Sequence, residues 1–376
     1  MNIKVANTVS LGEVLEYEQP TNYIVDNTDY DDEFEIPVLT AGKTFLLGYT
    51  NETHNVFSNV PVIIFDDFTT AFKYVDFPFK VKSSAMKILK ANNEIADIKF
   101  LYYRMMKTGI DTELHKRYWI SKYSKVKIPL PPLEQQKKIA AILDAADSYR
   151  QKTKSLIEKY DELTQSLFLD MFGDPVTNPK GWEEYLMNEA CTKVTDGTHD
   201  TPDRLGEGIK FITGKHVRPY SIDYKNSDYV TKDVHEEIYR RCNPELGDVL
   251  YTNIGVNLGT AALNKVDYEF SMKNVALLKP LEKLLTGRYL EYLLNSENMK
   301  SKIVWMASLG GAQQFLSLTQ LRRLKINIPP KEIQNQFTER VQAIEEQKAQ
   351  AKVSLAGAED LFNSLLQRAF KGELTS

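Results

Sequence analysis

The side chains in this sequence best suited to chemistry on a partner are loop amides, hydroxyls and ammonium groups, with no catalytic set among them. Residues 308–315 (SLGGAQQF) offer two glycines for close backbone approach. They also carry the amides of Gln313 and Gln314, which can pair bidentately with an adenine edge. Thr213, Gly214 and Lys215 can aim a hydroxyl, a backbone N–H and an ammonium at a phosphate or a base, and Asn253, Asn257 and Asn274 add further amides. The first third of the chain has the same outline. Residues 35–43 (EIPVLTAGK) and 208–215 (GIKFITGK) each read as a strand entering a Gly-Lys turn, with Thr40 and Lys43 in the first and Thr213 and Lys215 in the second. Residues 66–73 (DDFTTAFK) follow an apolar strand and carry Thr69, Thr70 and Lys73. Each of these groups is equally consistent with a turn whose polar atoms are satisfied within the chain.

Enzymatic chemistry is poorly supplied. The sequence has no GxxxxGKS or GxxxxGKT loop for nucleotide phosphates, no HExxH, and no Asn-Pro-Pro-aromatic or Asp-Pro-Pro-Tyr motif of an amino-methyltransferase. His54, His115, His199, His216 and His235 fall at no metal-ligand spacing. The acidic cluster Asp29, Asp31, Asp32 and Glu33 has no lysine beside it, so it reads as a solvated loop, and no metal site is expected.

Behind these loops lies a chain of 376 residues with 42% apolar and 26% charged side chains, a composition that folds and a length that suits two or three domains. Apolar runs such as 60–65 and 275–278 fall far short of the roughly 20 residues a bilayer requires. Residues 1–15 lack the apolar core of a secretion signal. The two cysteines, Cys191 and Cys242, cannot form a disulfide framework. A soluble, cytoplasmic protein with no membrane partner is expected. The net charge of −4 argues mildly against nucleic acid, but it hides a segregation. Residues 13–35 hold nine acidic side chains and no basic one, whereas residues 73–125 hold twelve basic against five acidic. Lys82, Lys116 and Arg117 of that basic stretch are candidate phosphate contacts.

Comparing the chain with itself exposes a repeat at an offset of 198: residues 126–172 lie over 324–370 without a gap, with 12 identities in 47 positions. Lys127 and Lys325, Ile128 and Ile326, both Pro-Pro pairs, Glu134 and Glu332, and Gln136 and Gln334 are shared. Each copy opens with a short β-type run closed by Pro-Pro, which stops a strand and is tolerated in the first turn of a helix. A heptad seam follows. In the first copy it runs through Ile139, Ile142, Ala146, Tyr149, Thr153, Leu156, Tyr160, Leu163 and Leu167. In the second it runs through Phe337, Val341, Ile344, Lys348, Ala351, Leu355, Ala358, Phe362, Leu365 and Ala369. The helices should stop at Gly173 and near Gly372, and each should be about 40 residues, or roughly 60 Å, long. Their seams need partners, and the chain's return path makes them an antiparallel coiled coil. Gly357 makes the second helix the softer one, by about 1 kcal/mol relative to alanine.

Two blocks fill the space between the repeats, and each reads as mixed α and β with a helix near 95–107 or 286–303 ahead of the Pro-Pro strand. The expected class is therefore α+β. Block 1–125, strand and long helix 126–179, block 180–323, and strand and long helix 324–376 form a pseudo-two-fold internal repeat.

That order resembles the specificity subunit of Type I restriction-modification systems. The most specific stretches are IPLPPLEQQKKIAAIL at 128–143, LFLDMFGDP at 167–175, GWEEY at 181–185, GDVLYTNIG at 247–255 and SLGGAQQFLSLTQLRRLKINIPP at 308–330. The resemblance implies that the blocks are target-recognition domains, each reading one half of an asymmetric bipartite site in double-stranded DNA. The long helices would then set the gap between half-sites and dock two methyltransferase subunits. Displacing a block by one base pair carries it about 3.4 Å along the duplex and about 35° around it, so the spacer is a length and not a sequence. The resemblance further implies a non-catalytic chain that binds no cofactor. Its methyltransferase and restriction/translocase partners would use S-adenosylmethionine, ATP and Mg. The competing reading is a coiled-coil scaffold for proteins alone that does not contact DNA.

Overall fold

The computed structural model describes residues 7–42, 44–108, 118–255, 257–308 and 315–374. The chain divides into two compact units, Met1–Lys154 with Val353–Ser376, and Ser155–Lys352. Each unit therefore unites one block with half of each long helix, a division that cuts across the four sequential segments expected from the repeat.

In the first unit the chain forms β1 (Asn7–Ser10), α1 (Leu11–Val14), β2 (Leu15–Glu18), β3 (Ile36–Leu39), β4 (Leu46–Thr50), β5 (Val62–Asp66) and β6 (Phe72–Val75). It continues through β7 (Lys80–Val81), β8 (Met86–Ala91), α2 (Ile98–Lys107), α3 (Tyr118–Ser121) and β9 (Lys127–Leu130) into the long helix α4 (Leu133–Phe172). One sheet has the order β2-β8-β5-β6, a second β4-β3-β7, and β1 pairs with β9. The alternation along β5 shows why this arrangement holds. Ile63 and Phe65 face a core shared with Phe100, Ile139, Leu143, Phe362 and Leu366. Val62 and Ile64 face a second core with Leu39, Phe57, Phe79 and Val81. A strand that buries both faces needs a cover on each side: helices on one, the small sheet on the other.

The second unit repeats this plan. After β10 (Glu183–Leu186), α5 (Met187–Ala190), β11 (Cys191–Asp196), β12 (Ile209–Thr213), β13 (Val217–Arg218), β14 (Ser221–Ile222) and β15 (Asp228–Val230) comes α6 (Lys232–Arg241). Then follow β16 (Val249–Thr252), β17 (Thr260–Leu263), β18 (Ser271–Lys273), β19 (Ala276–Pro280), α7 (Gly287–Asn295) and α8 (Glu297–Ser308). The unit closes with α9 (Leu318–Arg322), β20 (Lys325–Ile328) and the second long helix, α10 (Lys331–Lys371). Its sheets run β11-β19-β16-β17 and β15-β12-β18, and β10 pairs with β20. Val249 and Tyr251 of β16 face one core and Leu250 faces the other. The match extends to single bonds: Leu11 N–H donates to Val126 O at 2.9 Å, and Met187 N–H donates to Leu324 O at 2.9 Å. Among the described residues no helix is long and apolar enough to cross a membrane.

The long helices, of 40 and 41 residues, pack antiparallel. In the first unit the Arg150 guanidinium lies 4.4 Å from the Phe362 ring centroid. In the second, Asp161 pairs with Lys348, and Phe172 meets Phe337 at 5.1 Å. Gly173 (φ 77°) and Gly372 (φ 81°) end the two helices in the left-handed conformation. Helix α10 runs unbroken through Gly357, whose Cα faces open space.

The seam of α10 buries Phe337, Val341 and Phe362, with Ile344, Leu355 and Leu365 half-buried. The seam of α4 differs from the expectation. Ile139 and Ala146 are buried and Tyr160 and Leu167 half-buried, but Ile142, Leu156 and Leu163 are 36%, 43% and 49% exposed. Leu143 and Thr164 are buried in their stead, with Ile157 half-buried and Arg150 covering Phe362. Adjacent residues of similar polarity, such as Ile142 and Leu143 or Leu156 and Ile157, leave the choice between i+3 and i+4 open. A buried glutamine at the start of the helix makes that choice.

Gln136 is wholly buried. Its Oε1 accepts the Asp97 N–H at 2.9 Å, and its Nε2 donates to Ile95 O at 2.9 Å and Pro131 O at 2.8 Å. Gln334 repeats the clamp with Thr286 N–H at 2.8 Å, Leu284 O at 2.9 Å and Pro329 O at 2.8 Å. Asp97 and Thr286 cap α2 and α7, so each glutamine joins the start of a block helix to the first turn of the long helix. Gln136→Ala takes the side-chain partner from three backbone groups beside a buried site. Urea unfolding should show a loss of about 3 kcal/mol, because each orphaned group costs about 1 to 3 kcal/mol and water recovers part of that. A loss below about 1 kcal/mol would mean the clamp carries little of the unit's stability.

Candidate nucleic-acid interface

In both units the candidate residues gather where a parallel strand pair ends. In the first, β3 and β7 run parallel with Leu39 opposite Val81, so Thr40 and Lys82 stand side by side just beyond them. Lys82 N–H donates to Leu39 O at 3.2 Å, and Thr40 N–H donates to Phe45 O at 2.9 Å, closing the turn. The exposed Lys82 ammonium lies 5.9 Å from the Tyr30 ring and makes no ion pair among the described residues. In the second, Thr213 lies opposite Lys273 at the end of the parallel pair of β12 and β18. The two lysines hold the same topological position. Lys273, absent from the sequence-based candidates, bonds Thr201 Oγ1.

The loop that follows β11 closes against this strand end. Thr198 bridges Lys273, and Asn274 N–H donates to Thr198 O at 3.2 Å. Asn274, with φ 52°, sets its Oδ1 2.9 Å from His199 Nδ1. A Cβ on Gly197 would lie 2.0 Å from Met272 O, so only glycine permits this approach.

A second loop joins each rim. In the first unit it is the β5–β6 turn. Asp66 Oδ1 accepts the N–H groups of Phe68 at 2.9 Å and Thr69 at 2.8 Å, and Thr70 has φ 61°. In the second it is the β16–β17 turn, where Asn257 Nδ2 donates to Gly214 O at 3.1 Å and the Thr252 hydroxyl donates to Asn257 O. The residue beyond the next segment is latched onto each turn in the same way. Tyr118 N–H donates to Asp67 O at 3.0 Å and Trp119 N–H to Asp67 Oδ1 at 2.8 Å. Leu316 N–H donates to Asn253 O at 2.9 Å, and Asn253 Nδ2 returns a bond to Leu316 O at 3.1 Å.

The first unit thus carries Thr40 and Lys82 at the strand end and Thr69 and Thr70 on the turn, and in the second the Asn257–Gly214 bond brings Asn257 to Thr213 and Lys215. Two expectations change. Lys73 lies within β6 opposite Ile64 and not on the turn, because the strand begins at Phe72. Asn253 is buried and commits its amide to the chain. Lys43, Lys116, Arg117, Gln313 and Gln314 lie outside the described residues. The charge of Lys215 is partly met by Asp228 at 3.1 Å, which also pairs with Arg204 at 2.6 Å.

Ligating atoms of Asp26, Glu52 and His54 come within 4.8 Å of one another, a grouping that sequence spacing does not reveal. Glu52, however, is buried against the Lys80 ammonium at 2.7 Å and accepts the N–H groups of Asp26 and Asn27. Burial raises its pKa, but these donors outweigh burial and hold it below the ordinary range. The lysine already supplies the cation.

His216, buried beside the second rim, accepts the Thr213 N–H at Nδ1 over 3.0 Å and is therefore neutral. Burial, followed by the charge of Lys215, pushes its pKa below the usual 6.5. The unfolded chain takes up that proton first, so this contribution to stability is present above pH 6.5 and is lost as pH falls below it. Glutamine can still accept the Thr213 bond. The unfolding midpoint of His216→Gln should therefore fall less steeply than that of the wild-type protein between about pH 6.5 and 5, and parallel profiles would count against the linkage.

A family sequence model described as the Type I restriction modification DNA specificity domain matches residues 4–161 and 179–353. The specificity subunit of the Type I restriction enzyme EcoR124I/EcoR124II of Escherichia coli is 46% identical over 168 residues, covering 43% of this chain and 39% of that protein. The EcoBI specificity subunit of the same species is 24% identical over 282 residues, covering 66% and 58%. The aligned stretches thus span about half the length of these curated relatives. Among solved structures, the Type I restriction-modification S subunit from M. genitalium superposes with a TM-score of 0.62 at 16% identity, covering 98% of this chain and 97% of that one. A chain from a structural study of complex assembly in the Type I system gives 0.54 at 18% identity, covering 99% of each. At these identities the likeness to solved structures is one of fold.

Proposed function

Because the chain belongs to the Type I restriction modification DNA specificity family, we propose that it reads a bipartite site in double-stranded DNA, one half-site with each rim. The observation that carries this reading is the duplicated rim itself. One strand topology presents Thr40, Thr69, Thr70 and Lys82 in one unit and Thr213, Asn257 and Lys273 in the other, so the same platform addresses two unlike targets. Lysines at the strand ends suit phosphates, and the hydroxyls and amides between them suit base edges. Two methyltransferase subunits dock on the chain and use S-adenosylmethionine. Restriction/translocase subunits use ATP and Mg. The chain itself supplies no catalytic group, and the assembly works in the cytoplasm on host DNA.

Methylation profiling of the host identifies the site, and anisotropy titration of the chain with its methyltransferase subunits then tests the reading. Cognate duplex should bind about a thousandfold or more tighter than random duplex, with affinity falling steeply with salt. Lys82→Ala and Lys273→Ala should each weaken both duplexes and lower the salt slope by about one. Binding without salt dependence, or no binding, would overturn the reading in favour of a protein-only scaffold.

Division of labour gives a separate expectation. Purified alone and incubated with S-adenosylmethionine and cognate duplex, the chain should transfer no methyl group, and adding the methyltransferase subunit should restore transfer. Label incorporation by the chain alone would refute it.

A further inference from the structure

Each polar rim carries an exposed aromatic ring held on a rigid mount. Phe68 is 52% exposed at the head of the β5–β6 turn. Its N–H donates to Asp66 Oδ1, as does that of Thr69, and Thr70 N–H donates to Asp66 O at 3.0 Å. The next-door Asp67 is buried and tied to Tyr118 and Trp119, so the turn cannot fold its ring inward without breaking those bonds. Phe315 is 41% exposed and forms a bridge with Ile254 of the β16–β17 turn. The next residue, Leu316, is latched to Asn253 as Tyr118 is to Asp67. Ile254 therefore holds the position that Phe68 holds in the first unit, and Phe315 is the ring placed against it.

Isolated apolar side chains on a surface need no explanation. A phenylalanine beside the latch in both units, on the turn in the first and on the latched segment in the second, set among threonines, lysines and asparagines, is a different observation. A ring held out from a basic, polar rim has the form of the apolar wedges that enter a base step, unstack it and kink the duplex. The main chain carrying each ring is tied down before any partner arrives, so little backbone ordering is required on binding.

We propose that Phe68 and Phe315 are stacking wedges, each entering one base step of the half-site read by its own rim and opening that step. This rests on the DNA-reading function above and adds a component of recognition that needs no hydrogen bond. Steps that unstack readily, TA and CA/TG, are favoured at the point of entry.

The test uses the chain with its methyltransferase subunits and cognate duplexes carrying 2-aminopurine at successive positions away from the methylated adenines. Fluorescence should rise on binding at one step in each half-site. Phe68→Ala should abolish the rise in one half-site and Phe315→Ala that in the other. Each should cost roughly 10-fold or more in cognate affinity. Phe→Leu at either position should retain part of the signal, since apolar bulk is enough to wedge a step. Both side chains are exposed, so melting temperature should not change. Tight, salt-dependent binding with no local rise, or alanine variants with unchanged fluorescence and affinity, would overturn the wedges and leave the DNA reading standing. Loss of methyltransferase binding by the alanine variants in the absence of DNA would assign the rings to a protein contact and overturn the proposal. Failure of the wild-type complex to bind DNA would overturn both.

Discussion

The clamp made by Gln136, and again by Gln334, is the contact on which each unit depends. Where β9 or β20 ends at Pro-Pro and the long helix begins, a proline carbonyl, the carbonyl of a neighbouring loop and the N–H of a helix cap converge on one buried side chain. A glutamine amide offers two donors and an acceptor at the reach required, and all three are used in both copies. Glutamate has no donor to give the carbonyls, and asparagine is one methylene short. The cost of an orphaned buried amide group exceeds the net gain from a typical hydrogen bond, so this small site constrains its surroundings strongly. Turning Gln136 inward also decides which face of α4 follows it: Ile139, Leu143 and Ala146 inward, Ile142 outward.

From that fixed face the rest of each unit builds outward. The inward face of α4 meets the far end of α10 in the first unit, and the inward face of α10 meets the far end of α4 in the second. Both helix halves then cover the same side of a sheet whose central strand is buried on both sides. Covering the other side takes the smaller sheet, and its parallel strand pair ends at the polar rim. The rim is therefore the edge of a doubly covered core, supported from beneath by Val62, Ile64 and Val81 in one unit and by Leu250, Met272 and Leu277 in the other.

Much of this was legible in the sequence, in physical terms that can be named. A repeat of 47 residues encodes both long helices and their start at Pro-Pro, and a glycine just beyond each copy marks the end, because those signals are local. The phase of α4 is also present in the sequence, in the repeat and not in the polarity pattern. Aligned at the offset of 198, Val341 stands over Leu143, not over Ile142. The common topology of the blocks was only partly visible, since it resides in pairings between distant strands whose side chains have diverged. Thr40 and Thr213 could be placed at strand ends from their turn residues. Lys273 could not, because its neighbour Thr213 is 60 residues away and is joined to it only through a parallel ladder. The grouping of Asp26 with Glu52 and His54, with Lys80 as its cation, was hidden for the same reason.

How two blocks can share a platform and differ in what they display follows from where the rim's hydrogen bonds go. In the first unit the β5–β6 turn is held by Asp66 and latched through Asp67. In the second, Thr252 and Asn253 hold the β16–β17 turn, with the Asn257 amide tied to Gly214 O. Most of these bonds end on main-chain atoms, and Asp67, Thr252 and Asn253, which make several of them, are buried. The outward side chains at Lys82, Thr69, Lys273 and Phe68 bear no comparable share of the turn geometry. Substituting them leaves the main-chain scaffold of the turn in place, whereas substituting Asp66, Asp67 or Asn253 removes the mount itself. A rim built in this way separates the residues that hold its shape from those that give it a chemical identity, so the outward set can diverge between the two units while the fold beneath it stays the same.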